Sequence, residues 1–223
     1  AAPAPAAWEH TDHAVVYDAI GGAKSTATCA DGQGGVLVAY LDSGAAALRV
    51  GVSRLDCTGN ELWGQGGVTV PFSVGSESQE GPVTVAADGG GGAFVAYREV
   101  WPNDQHILCV THFDADGSYD WYLAVGDFGD EDEALRTEAF QTMGSDVIVV
   151  WTQKKPFPTS ELRAARISAT GTELWEVAAA DGINLVPDAT SWQACAGAGG
   201  VLIGFDRQLA FPSSREHRVV RVD

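Results

Sequence analysis

One short segment occurs three times in this chain. GGVLVAY (34–40), GGAFVAY (91–97) and GGVLIGF (199–205) superimpose without gaps, and SDVIVVW (145–151) keeps the apolar run and the closing aromatic. Each is short, β-branched and preceded by turn residues, the pattern of a buried strand. A second pattern recurs as RLDCTGNELW (54–63), HFDADGSYDW (112–121) and RISATGTELW (166–175). There the glycine four residues before each tryptophan suits a tight hairpin. Trp8, Trp63, Trp121 and Trp175 stand about 55 residues apart, room for four short strands and their turns.

Each unit then divides into strands A, B, C and D. In the first unit these are expected near 24–30, 35–41, 47–55 and 61–70. In the second they fall near 82–87, 92–98, 106–113 and 119–125, and in the third near 135–142, 146–152, 161–167 and 173–178. The fourth has A near 189–195, B at 200–206 and C at 216–222, with no strand D after them. Trp8 and the run 14–17 match Trp63 and the run 68–71, so the N-terminal strand is expected to complete the last unit. Four-stranded units at this period are the signature of propeller blades. A β-sandwich would give no reason for the repeated Gly and Trp positions. The expectation is an all-β, four-bladed β-propeller over 1–223, one domain, with 1–7 a flexible N-terminal segment. Closing the ring would also remove an exposed sheet edge.

The combination GG-x-x-x-x-aromatic and D-x-x-G-x-x-x-W resembles the β-propeller repeats of about 50 residues found in secreted bacterial proteins. The tryptophan step is also similar to the tryptophan-docking motif of quinoprotein dehydrogenase propellers. The resemblance covers nearly the whole chain as a repeat pattern, and it implies a fold rather than an activity. Those quinoproteins have eight blades and a pocket that four blades cannot supply, so no quinone cofactor is expected.

Charge narrows the function. The 223 residues carry 13 Lys+Arg against 30 Asp+Glu, a formal net charge of −17. That argues against nucleic acid, which needs a clustered basic footprint, and against docking on anionic lipid. No apolar run approaches the roughly 20 residues of a membrane helix, so no membrane insertion is expected. The opening AAPAPAA reads as a chain released behind small residues, which points to a secreted or periplasmic location.

The B–C connections carry the irregular chemistry. They read DSGAA (42–46), EVWPNDQ (99–105), QKKPFPTS (153–160) and RQLAFPSSRE (207–216). Arg98, Trp101, Lys154, Lys155, Phe157, Arg207 and Phe211 are thereby predicted to form an aromatic and cationic ligand-binding rim. The loop GDFGDEDE (126–133) offers Asp127, Asp130, Asp132 and Glu133 as hard oxygen ligands for Ca²⁺. His10 and His13, with His217 brought near them by ring closure, form a candidate transition-metal site. DADGSYD (114–120) has alternating acids but reads better as a hairpin turn. Of Cys29, Cys57, Cys109 and Cys195, the pair Cys29–Cys195 is the expected disulfide, and Cys109 a buried free thiol. No G-x-S-x-G, H-E-x-x-H or phosphate-binding glycine loop occurs, and no catalytic residue is assigned.

The function expected from the sequence is a monomeric, non-enzymatic binding module holding a glycan or protein on the B–C face. A metal-assisted enzyme and a purely structural scaffold are the alternatives.

Overall fold

The computed structural model describes residues 23–43, 48–71, 73–102, 105–127, 137–154, 160–178, 192–197, 200–208 and 215–222. Among them there is no helix. Fifteen strands form four antiparallel sheets, in each of which neighbours in sequence are neighbours in space. The chain divides into two compact units, Ala1–Asp127 and Phe128–Asp223, with two sheets in each.

In the first unit, one sheet holds β1 (Ala23–Ala30), β2 (Val36–Asp42), β3 (Arg49–Leu55) and β4 (Val68–Thr69). The other holds β5 (Ser78–Ala87), β6 (Ala93–Trp101), β7 (Gln105–Phe113) and β8 (Tyr119–Asp127). The β1–β2 and β5–β6 turns are built alike. Asp31 Oδ1 accepts the N–H of Gln33 and Gly35 (2.8 and 2.7 Å), and Asp88 Oδ1 accepts those of Gly90 and Gly92 (2.7 and 2.8 Å). The second glycine of each repeated GG lies against the next hairpin. A Cβ at Gly35 would collide with the Leu55 carbonyl, and one at Gly92 with the Phe113 carbonyl.

Strand periodicity then separates the faces. Leu37, Ala39, Leu41, Val50, Val52, Trp63 and Val70 of the first sheet share one core with Val83, Val85, Val95, Tyr97, Cys109 and Phe113 of the second. Burying each large aliphatic side chain there contributes about 1.5–3 kcal/mol.

Strand D of the first unit differs from expectation. Only Val68–Thr69 pairs with β3, besides an isolated Leu55–Glu61 bridge. The segment GQGG (64–67) intervenes as a turn. Gly67 N–H bonds the Gly64 carbonyl (3.0 Å), and Gly66 N–H bonds Glu61 Oε2 (2.8 Å). Trp63 leaves its own sheet, and its Nε1–H donates to the Ala115 carbonyl in the β7–β8 turn at 3.0 Å. Its ring lies over Gly117 and 6.2 Å from the ring of Phe113.

The second unit holds β9 (Thr137–Met143), β10 (Asp146–Lys154), β11 (Ser160–Ile167) and β12 (Glu173–Ala178) in one sheet. Val147, Ile148, Val149, Val150 and Trp151 of β10 are all fully buried, so this central strand is covered on both faces. The last sheet has three strands, β13 (Trp192–Gly197), β14 (Gly200–Gln208) and β15 (Arg215–Val222). Among the described residues β15 has no partner beyond β14. The expected closing strand falls in residues 1–22, outside the described residues.

Candidate ligand-binding site

The end of the β6–β7 hairpin carries the two expected rim residues whose side chains are described, Arg98 and Trp101. Neither is on a loop. β6 continues to Trp101, which pairs directly with Gln105, so most of the expected loop 99–105 is ladder. An odd separation along one strand puts Arg98 and Trp101 on opposite faces of the sheet. They do not form one surface.

On the Arg98 face the charge is matched in place. Arg98 Nη2 bonds Glu80 Oε2 at 3.1 Å and the Gly81 carbonyl at 3.2 Å. Glu80 is its cross-strand partner on β5, and His106 Nδ1 lies 3.7 Å from the same carboxylate oxygen. With its side chain 18% exposed, the guanidinium is an internal strut rather than a free cation.

The Trp101 face is organised by two fully buried polar residues that oppose each other across the ladder, Gln79 and Glu99. Gln79 Oε1 accepts the Val50 N–H (2.8 Å), and its Nε2 donates to the Pro71 carbonyl (3.2 Å). Glu99 Oε1 accepts the Ser73 N–H (3.2 Å). Glu77 N–H then bonds the Val100 carbonyl (2.8 Å). These bonds fasten the connector between β4 and β5 onto the end of β6. Its tip is a turn closed by Ser76 N–H to the Ser73 carbonyl (3.1 Å), with Gly75 at φ +99°. The indole of Trp101 lies over this glycine. A Cβ at Gly75 would stand 3.1 Å from the ring and crowd it, and the positive φ disfavours a side chain there as well. Trp101 is half-buried, while Val74 beside Gly75 is 96% exposed.

Beneath this rim lie Tyr97, Cys109 and Tyr122. Cys109 Sγ is 3.3 Å from Tyr122 Oη, which is 3.5 Å from Glu99 Oε2. Burial pushes all three acidic groups up, the thiol and both phenols. They are therefore protonated at neutral pH and serve as hydrogen-bonding groups, not activated nucleophiles.

The other expected site residues lie mostly outside the described residues. Lys154 ends β10, Arg207 lies in β14, and the side chains of both, with all of Lys155, Phe157 and Phe211, fall outside the described residues. Asp127 is the last residue of β8, while Asp130, Asp132, Glu133, His10 and His13 also lie outside them. His217 is in β15, opposite Asp206. Among the described residues no group of three or more His, Cys, Asp or Glu side chains is arranged to hold a metal. The 114–120 segment is a turn, as expected: Asp114 Oδ1 accepts the N–H of Ser118 at 3.0 Å, and Gly117 N–H bonds the Asp114 carbonyl.

All four cysteines are free thiols in the structure, so the expected Cys29–Cys195 pairing gains no support from it. The Cys29 sulfur is half-buried against the Ala87 backbone of β5, and burial pushes its thiol up. Cys195 is exposed.

Sequence reasoning missed the 73–76 turn, Gln79 and Glu99. The Ser73, Gly75 and Ser76 cluster was a usable turn signal, and Glu99 shares strand parity with Trp101.

No known family's profile matches this sequence, and no curated protein is significantly similar to it. Among solved structures, the chain is similar to the phage phi92 endosialidase, with a TM-score of 0.51 and 11% identity over 91% of this chain. It is also similar to an endo-arabinase from Bacteroides thetaiotaomicron, with a TM-score of 0.46 and 9% identity over 86% of this chain and 72% of the other. The chain spans only 35% of the endosialidase chain. At such identity the first likeness speaks to fold alone: an all-β, propeller-like arrangement of antiparallel sheets.

Proposed function

We propose that this protein is a non-enzymatic binding module that takes a neutral carbohydrate on the Trp101 face. The observation that carries the reading is the half-buried indole held over Gly75 beside the exposed Val74. A pyranose presents a flat C–H face that packs on one indole. A stable protein partner would need about 800 Å² from this side, far more than one tryptophan and one valine supply. The buried Gln79 and Glu99 fix the platform before any ligand arrives, which lowers the ordering cost of binding. Because Glu80 already neutralises Arg98, an anionic group gains little there. The endosialidase and endo-arabinase are named for glycan chemistry, but the carbohydrate reading rests on the rim itself.

The finer architecture belongs to the same proposal. Four blades close into one ring, with residues 8–18 supplying the fourth strand of the β13–β15 sheet. The match of Trp8 to Trp63 supports it, and among the described residues β15 pairs only with β14. The expected secreted or periplasmic location goes with this reading and is checked by fractionation of the producing cell.

A glycan array followed by calorimetry tests the binding. Trp101→Ala should weaken any glycan bound at least tenfold, about 1.4 kcal/mol, whereas Arg98→Ala should leave affinity within a factor of about three. Loss of binding in Arg98→Ala alone would overturn the assignment of the face. A stoichiometric transition metal in the purified protein would point to a metal-assisted enzyme instead.

A further inference from the structure

Among the described residues, three sheets pair an acid in or directly after the turn between their first two strands with a base on their third strand. Arg54 Nε and Nη2 bond Asp31 Oδ2 (3.0 and 2.8 Å), and Arg166 Nε and Nη2 bond Asp146 Oδ2 (2.9 and 2.7 Å). In the β5–β8 sheet the base is His112, with Nε2 3.2 Å from Asp88 Oδ2. This sheet differs a second time. Asp120 Oδ2 stands 3.0 Å from His112 Nδ1, where the residues before Trp63 and Trp175 are Leu62 and Leu174. A permanently charged arginine has thus been replaced by a titratable ring held between two carboxylates.

Carboxylate oxygens only accept hydrogen bonds, and a neutral imidazole has one N–H and one lone pair. Both contacts are hydrogen bonds only when the ring carries two hydrogens and a positive charge. The neutral ring would turn a lone pair toward one carboxylate. Asp88 cannot give way easily, because Gly90 and Gly92 also hold it, and its side chain is 17% exposed. Asp120, at 50% exposed, can turn to water. Phe94 and Trp121 flank the ring, with centroids 4.7 and 5.7 Å away, and neither carries charge. The nearest cation facing this turn from the first sheet is Arg54, against Gly91, and Asp31 already neutralises it.

We propose that His112 is a proton-dependent clamp on the β7–β8 hairpin. Charged, it binds Asp88 and Asp120 together and fixes the hairpin. Neutral, it releases Asp120. The hairpin turn held this way is the one that receives Trp63 through Ala115 and Gly117. Proton loss at His112 therefore loosens the seat of Trp63 and with it the contact between the first two sheets. The sign follows: the stabilisation is present at acid pH and is lost as pH rises.

The test uses the full chain and three readouts followed across an acid-to-alkaline pH series. These are the ring ¹⁵N shifts of His112, the Trp63 indole N–H resonance, and thermal unfolding. The wild type should show a doubly protonated ring at the acid end. As the ring deprotonates, the indole resonance should move and Tm should fall by about 3 °C. His112→Arg should keep the acid-end Tm and abolish both changes. Asp120→Asn, which can donate to a neutral ring, should also flatten the Tm profile. Comparison with the wild type cancels the other histidines. If His112→Arg and Asp120→Asn both retain the wild-type pH profile, or if the ring is neutral at the acid end, the clamp is wrong.

Discussion

Trp63 donates its indole N–H to the carbonyl of Ala115, 52 residues further along the chain. The bond joins the last part of one repeat to the turn of the next, and the ring, 7% exposed, is part of the core shared by the two sheets. Trp63→Ala should therefore destabilise the chain by about 3–5 kcal/mol. Trp63→Phe should cost nearer 1 kcal/mol, for the lost hydrogen bond. Urea unfolding of both variants checks the pair. A cost near zero in Trp63→Phe would mean that the indole N–H contributes nothing.

Arg54 and Asp31 make a salt bridge with side chains 8% and 2% exposed. Arg54→Ala leaves Asp31 buried without its cation and should cost about 3–5 kcal/mol, while the double variant with Asp31→Ala should recover part of that loss. Burial pushes the Asp31 carboxyl up, but the N–H groups of Gln33 and Gly35 and the Arg54 guanidinium outweigh it and hold the carboxyl below its ordinary range. A depressed folded value means stability that is present above the unfolded carboxyl's titration, near pH 3.9, and is lost as pH falls below it. Acid titration of unfolding should show a shallower slope below about pH 4 in Asp31→Asn than in the wild type.

The thiols give a chemical prediction. All four cysteines should react with a disulfide reagent after denaturation without reductant. In the native protein the exposed Cys195 should react first and the buried Cys109 not at all within the same period, since burial pushes its thiol up. A protein that yields two reactive thiols on unfolding would carry a disulfide that the structure lacks.

Gly75 ties the proposed platform to its backbone. Gly75→Ala should displace the Trp101 ring and strain the turn, lowering carbohydrate affinity while costing about 1–3 kcal/mol in stability. Calorimetry and unfolding of this variant, set beside Trp101→Ala, would separate loss of the ring from loss of its support. Unchanged affinity in Gly75→Ala would mean that the turn does not position the indole.

Much of the fold was legible because the chain repeats itself. GG before each apolar run marked the first hairpin, and the D-x-x-G-x-x-x-W step marked the second, so most strand positions came out within a few residues. Strand D of the first unit failed because Gly64, Gly66 and Gly67 make a turn where a longer ladder was expected. The rim was less legible. Loop chemistry suggested one cationic and aromatic surface, but strand parity, available once β6 reaches Trp101, sends Arg98 to the other face. The buried pair Gln79 and Glu99 was hard to read as a platform, because a polar residue on a strand ordinarily reads as solvent-facing and only the parity of Glu99 with Trp101 hinted otherwise.

The fourth strand proposed for the β13–β15 sheet offers the direct test of the ring. Hydrogen exchange should be measured on β15 in the full chain and in a chain lacking residues 1–18. The ring predicts that the outward amides of β15 are protected in the full chain and exchange freely in the truncated one, with a marked fall in its unfolding midpoint. Free exchange along the outer side of β15 in the full chain, or a truncated chain of unchanged stability, would contradict closure by the N-terminal strand.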